Sequence, residues 1–119
     1  MDGHQRSTPA ATGRAAEDRA LKELSAAGLR LVARNFRCRL GEIDLVMRDA
    51  DTLVFVEVRS RARSDYGGAA ASVGPAKQHR LRREAQRYLN EHFGDHWPPC
   101  RFDVCALEGA GIDWIRDAF

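Results

Sequence analysis

Small and apolar side chains recur at helical spacing in residues 14–28, at Ala16, Ala20, Leu24 and Ala27, and Gly28 is a natural C-terminal stop. Residues 29–37, 42–48 and 52–60 are instead dense in aliphatic and β-branched side chains and read as three strands, the last two joined at Ala50-Asp51. Residues 61–74 are small and glycine-rich, the composition of a loop. Pro75 opens a second helix, where proline is tolerated, and Leu81, Ala85, Tyr88 and Leu89 give that helix an apolar stripe. Gly94 to Pro99 is a turn-rich break. Residues 100–107 alternate as a fourth strand and residues 112–116 supply a fifth. Residues 1–13 are polar and small, and are expected to form a disordered tail before a single domain at 14–119. The order predicts an α/β domain with a small mixed sheet of four to five strands flanked by helices.

Acids interrupt two of these strands. Asp44 sits among Ile43, Leu45, Val46 and Met47, and Glu57 among Val54, Phe55, Val56 and Val58. A buried carboxylate is costly unless it is paired, hydrogen-bonded or bound to a metal. A two-residue turn at Ala50-Asp51 sets Asp49 opposite Thr52 and therefore Asp44 opposite Glu57, on one face of the sheet. A three-residue turn would send the two acids to opposite faces. In the first register they form a candidate divalent-metal site that handles phosphate. Glu42 shares a strand face with Asp44 and is either a third ligand or a solvent-exposed acid at the strand start. The structural alternative is that these acids anchor arginines such as Arg59 or Arg101 across the sheet, and Asp103 is expected to partner an arginine.

The chain has 119 residues, 44% of them hydrophobic, which suits one ordinary globular core. It contains no apolar run long enough to span a membrane and no secretory leader pattern, so cytoplasm is the expected compartment. Three cysteines without CxxC spacing read as free thiols. The net charge of +2 says little, but 17 arginines stand against two lysines. They gather at Arg30, Arg34, Arg37 and Arg39, at Arg59, Arg61 and Arg63, and along the second helix at Arg80, Arg82, Arg83 and Arg87. The guanidinium fork suits bidentate phosphate contacts, so three clusters beside paired acids point to a polyanion. Arg61, Arg63, Arg80, Arg83 and Arg87 are the candidate nucleic-acid contacts, with Tyr66 in the glycine-rich loop beside them. His92 and His96 are four apart, but Gly94 and Pro98-Pro99 break the helical face that a zinc site would use.

The segments GEIDLV at 41–46 and VFVEVRSR at 54–61, the helix carrying Lys77, Arg80-Leu81 and Ala85, the run Arg101-Phe102-Asp103-Val104 and the terminal Ala118-Phe119 together resemble the YraN-type family of small bacterial proteins. The likeness runs from about Gly13 to the C-terminus. That family is similar in turn to restriction-endonuclease-fold enzymes with the PD-(D/E)xK active site, archaeal Holliday junction resolvases among them. The resemblance implies a phosphodiesterase core acting on DNA rather than RNA, branched or structured DNA included, with Mg²⁺ or Mn²⁺ as cofactor. Asp44 and Glu57 would then hold the metal with the backbone carbonyl of Val58, and Glu17 would match an acid that resolvases carry on their first helix. Arg59 stands where the superfamily expects lysine. Arginine keeps its proton, so its role would be to stabilise charge or orient water rather than to act as a base. Lys77 would supply an amine if the fold brings it near. A homodimer is left open. The same residues would also serve a non-catalytic nucleic-acid-binding protein, or a scaffold or assembly protein whose acids are structural.

Overall fold

The structure is a computed structural model that describes residues 9–39, 41–61 and 73–119. Helix α1 spans Pro9–Ala26, and strands β1, β2 and β3 follow at Arg30–Cys38, Gly41–Asp49 and Thr52–Arg61. Helix α2 spans Pro75–Phe93, and strands β4 and β5 are Cys100–Glu108 and Gly111–Ile115. The expected tail at 1–13 is too long: α1 already begins at Pro9, five residues before the boundary read from the apolar spacing. Proline is pre-set for a first helical turn, and Ala10 and Ala11 favour helix strongly without adding to an apolar stripe. Residues 1–8, Arg63 and Tyr66 lie outside the described residues, as does the Arg61 side chain. The expected loop at 61–74 overlaps the end of β3 at Arg61 and the buried Val73.

The five strands form one sheet in sequence order. β1, β2 and β3 are antiparallel, β3 and β4 are parallel, and β4 and β5 are antiparallel. The parallel pair needs a crossover, and α2 supplies it. The turn has the two-residue register: Asp49 pairs with Thr52 and the ladder runs back to Leu45 and Val56. Alternate side chains fill two cores. Val46, Leu53, Phe55, Val104 and Ala106 meet Leu81, Ala85, Tyr88 and Leu89 of α2. Leu45, Met47, Val54, Val56 and Leu107 meet Ala16, Ala20 and Leu24 of α1. Among the described residues the sheet is therefore covered by one helix on each face. No described helix is long and apolar enough to cross a membrane.

Strand β1 departs from regular alternation in a way that shapes the site. Its register against β2 shifts at Val32, and Asn35 takes a left-handed backbone at φ 54°. Asparagine tolerates that region better than most residues. Arg34 accordingly reaches Glu17 and Asp18 of α1, while Phe36 packs edge-on against Tyr88 of α2 with ring centroids 5.1 Å apart. The Asn35 amide is left at the sheet end, directed at Glu17 and Glu42.

Candidate functional site

The ladder between β2 and β3 stops at Leu45–Val56, one position before the acids. Beyond it β2 stays with β1 as far as Gly41–Cys38, while β3 stays with β4 as far as Arg61–Glu108. The two strands part at Asp44 and Glu57. The Asp44 carboxylate bridges the gap, its Oδ2 accepting a hydrogen bond of 2.8 Å from the Val58 amide. A backbone donor that would otherwise be orphaned is thereby satisfied.

A cavity of about 310 Å³ opens at this fork, bounded by Glu42, Asp44 and Glu57 from the strands and by Lys77, Arg80 and Glu84 from α2. Gly41 and Val58 add backbone to its wall. Asp44 and Glu57 thus face the same space. Glu17 approaches Asp44 from α1. Its carboxylate accepts hydrogen bonds of 3.1 and 3.2 Å from the Asn35 amide and lies 3.4 Å from Arg34. The same Asn35 amide reaches Glu42 at 3.3 Å, and Arg37 reaches the other Glu42 oxygen at 3.1 Å. Across the fork, Glu57 Oε2 is 3.4 Å from Lys77 Nζ and 3.7 Å from Arg59 Nη1.

The electrostatics follow from crowding these acids out of water. Burial pushes the Asp44 carboxyl up to about 8, with the charges of Glu57 and Glu17 and the hydrogen bond with Glu42 adding to it and the Val58 amide opposing. Burial also raises Glu57, against the Lys77 and Arg59 charges and the hydrogen bond to Asp44, all of which lower it. Without a cation, then, the crowded Asp44–Glu57 pair favours holding a proton.

Among the described residues, Glu17, Glu42 and Asp44 bring one carboxylate oxygen each within 4.8 Å of one another. Oxygens sharing an octahedral Mg²⁺ at about 2.1 Å stand roughly 3 Å apart in adjacent positions and roughly 4 Å apart in opposite ones. The three acids would have to draw closer to share such an ion, and all three are hard oxygen donors. This grouping differs from the ligand set read from the sequence. Glu42 and Glu17, both candidates from the sequence, join Asp44, while Glu57 hydrogen-bonds Asp44 from across the fork and holds Lys77 and Arg59. Val58 touches Asp44 through its N–H.

The remaining candidates separate along α2. Arg80 lines the fork cavity. Arg83 and Arg87 line a neighbouring cavity of about 380 Å³ together with Cys38 and Arg39, and Glu84 forms the wall shared by the two. Arg87 also pairs with Glu91 at 3.4 Å. Asp103 has the arginine partner expected of it. It is fully buried and accepts hydrogen bonds from Arg101 at 3.0 and 3.2 Å, from the Trp114 indole at 3.0 Å and from the Asp117 amide at 2.9 Å. The residues that the sequence reading passed over are Asn35 and Glu84, and Arg39, read there only as part of a basic cluster, joins the cavity wall. For Glu84 a signal existed: it lies three residues after Leu81 and four before Tyr88, inside the apolar stripe.

A five-stranded mixed sheet between two helices, with acids where two strands part, is consistent with a small restriction-endonuclease-like fold. The chain belongs to the uncharacterised protein family UPF0102, whose model matches residues 16–107. It is 64% identical over 114 residues to a UPF0102 protein of Ralstonia nicotianae, covering 92% of this chain and 87% of that one. A UPF0102 protein of Ralstonia pickettii is 62% identical over 114 residues, covering 92% of this chain and 90% of its own. One of Alkalilimnicola ehrlichii is 53% identical over 108 residues, covering 91% and 86%.

Proposed function

We propose that the protein is a metal-dependent endonuclease that hydrolyses phosphodiester bonds in DNA rather than RNA, branched or structured DNA included. One observation carries the reading: the acids Glu42, Asp44 and Glu57 share a cavity with the cationic side chains of Lys77 and Arg80. Asp44, Glu42 and Glu17 would hold Mg²⁺ or Mn²⁺, with Glu57 completing the set from β3. The bound ion would activate a water and neutralise charge at the scissile phosphate.

The chain's own groups divide the remaining work. Glu57 holds both Lys77 and Arg59 at the cavity. Held there, Lys77 and Arg59 would offer positive charge to a phosphate oxygen, where fixed charge stabilises the transition state most. Asn35 orients Glu17 and Glu42 toward each other. Arg80, Arg83, Arg87 and Arg39 extend the cationic surface away from the cavity, along the course that a nucleic-acid backbone would take.

Arginine at position 59 favours a second reading, a nucleic-acid-binding protein of the same fold that does not cut. The two are separated by incubating wild type and Asp44→Ala with branched, single-stranded and duplex DNA in Mg²⁺ or Mn²⁺. The nuclease reading expects cleavage by wild type that chelator and Asp44→Ala both abolish. Salt-sensitive binding to those DNAs without cleavage on any of them would establish the second reading instead.

A further inference from the structure

A separate cavity of about 290 Å³ lies on the other flank of α2 from the fork. The two share no lining residue: Arg80 and Glu84 face the fork, while Arg82, Gln86 and Leu89 face this one. At 3.6 residues per turn, Arg80 and Arg82 stand roughly 160° apart around the helix. The cavity is at the small end of ligand pockets, with room for one planar group.

Its walls are aromatic. Phe55, Phe102 and Phe119 form a stack that rises from the core toward the surface, with ring centroids 5.5 and 4.9 Å apart. The Ala118 amide donates to the Phe102 carbonyl at 2.7 Å and so fixes the chain beside the outer ring. Trp97 is 45% exposed, yet it is held in place. Its indole N–H donates to the Gly94 carbonyl at 2.8 Å, two prolines follow it, and the Pro99 carbonyl accepts from the Leu53 amide at 2.8 Å. An exposed indole with its polar group already satisfied is a preformed stacking surface.

The polar groups of the wall select among planar ligands. The Arg82 guanidinium lies 5.4 Å from the centroids of both Phe102 and Phe119. These rings hold it without using its N–H groups, which stay available to an anion. Arg101, by contrast, is taken up by Asp49 and Asp103. Gln86 carries a donor and an acceptor, and Asp117 an acceptor for an amino group. Stacking surfaces, a hydrogen-bonding edge and a guanidinium at the margin fit a heterocycle joined to phosphate better than an aliphatic group. A base inside a duplex is already stacked and paired, so it would have to leave the duplex to enter.

We propose that this cavity receives an unpaired nucleobase, stacked against Trp97, with Arg82 meeting the adjoining phosphate. The inference rests on the reading of the protein as one that binds nucleic acid, and it names the substrate class: a duplex with a single-stranded segment beside it. A strand engaging both sites crosses α2, a width of about 10–12 Å, over the exposed Arg83. No cleavage is required.

The test is fluorescence anisotropy of the full chain in chelator with a labelled blunt duplex, the same duplex ending in two unpaired arms, and that splayed duplex with abasic arms. Wild type should prefer the splayed duplex, and abasic arms should remove the preference. Trp97→Ala should weaken splayed-duplex binding about 5- to 100-fold, the range for one lost stacked base, and leave blunt-duplex binding unchanged. Trp97→Phe should keep most of the preference. Arg82→Gln should reduce it and flatten the logarithmic salt slope for the splayed duplex by about 0.7. Irradiating wild type with 5-iodouracil in the arms should crosslink Trp97, a readout that depends on no variant. Equal affinity for base-bearing and abasic arms, crosslinks that avoid the cavity, or a Trp97→Ala protein that binds both duplexes as wild type does or loses both alike would overturn the pocket while the fork stands. If N-acetyltyrosinamide erases the preference and deoxycytidine monophosphate does not, the occupant is a protein's aromatic side chain and the proposal falls. If wild type binds no DNA at low salt, the nucleic-acid reading falls and this inference with it.

Discussion

Asp44→Asn should stabilise the cation-free protein at neutral pH, although it alters the residue at the centre of the site. The Asp44 carboxyl is pushed up to about 8 in the folded chain, from an ordinary value of 3.8. The native state therefore binds this proton more tightly than the unfolded state does. The stability it confers is complete below the ordinary value and is lost as pH rises through the folded one. The slope is about 1.4 kcal/mol per pH unit while one proton separates the two states. At pH 7 the loss reaches a ceiling of about 4 kcal/mol, and water entry and proton sharing with Glu57 reduce it to roughly 2–4 kcal/mol. Asparagine removes the titration and keeps an oxygen to accept the Val58 amide. Urea unfolding in chelator at several pH values from 4.5 to 8 provides the comparison. The difference between the two proteins should be small at the acid end, grow with pH and favour the variant. Added Mg²⁺ should reverse the order, because only wild type gains from binding. A variant less stable than wild type at every pH, or a difference that does not change with pH, would refute the account of a crowded, cation-seeking carboxylate.

Three further outcomes follow from the packing and charge. Asp103→Ala should cost about 3–5 kcal/mol in urea unfolding, because Arg101 and the Trp114 indole lose their buried acceptor. Gly41→Ala should cost about 2 kcal/mol or more, since φ is 151° and the added carbon meets Glu84, and Glu84→Ala in the same chain should recover part of that cost. Replacing Arg80, Arg83 and Arg87 together by glutamine should weaken DNA binding and flatten its logarithmic salt dependence by up to about 0.9 for each phosphate no longer neutralised. Arg87, already paired with Glu91, is expected to contribute least. An unchanged salt slope would remove this helix face from the interface.

The sequence carried the element order because it is written in local pattern, while it left the hairpin between a two-residue and a three-residue turn. The observed pairing buries Val46 and Phe55 on one face and Leu45 and Val56 on the other, and it also carries Asp44 and Glu57 to one cavity. The turn itself was less marked, since Ala50 takes a left-handed backbone at φ 54° without glycine. The contribution of β1 was hidden for a similar reason. Its irregularities at Val32 and Asn35 fall in a run that reads as plain strand, yet they turn the Asn35 amide onto Glu17 and Glu42. Glu84 was not singled out, because it lies inside the basic run of α2 and charge was read along the chain there rather than around the helix. The start of α1 was set too late, because Pro9 and its following alanines carry helix propensity and no apolar period.

The most direct test of the nuclease claim sets binding against cleavage in one variant. Glu57→Gln keeps the shape of the side chain and removes the charge between Asp44 and Lys77. It should bind branched and duplex DNA as well as wild type or better, and it should not cut in Mg²⁺ or Mn²⁺, while wild type cuts under the same conditions. Wild type that stays inert on every substrate, or a Glu57→Gln protein that cuts as fast as wild type, would contradict the claim.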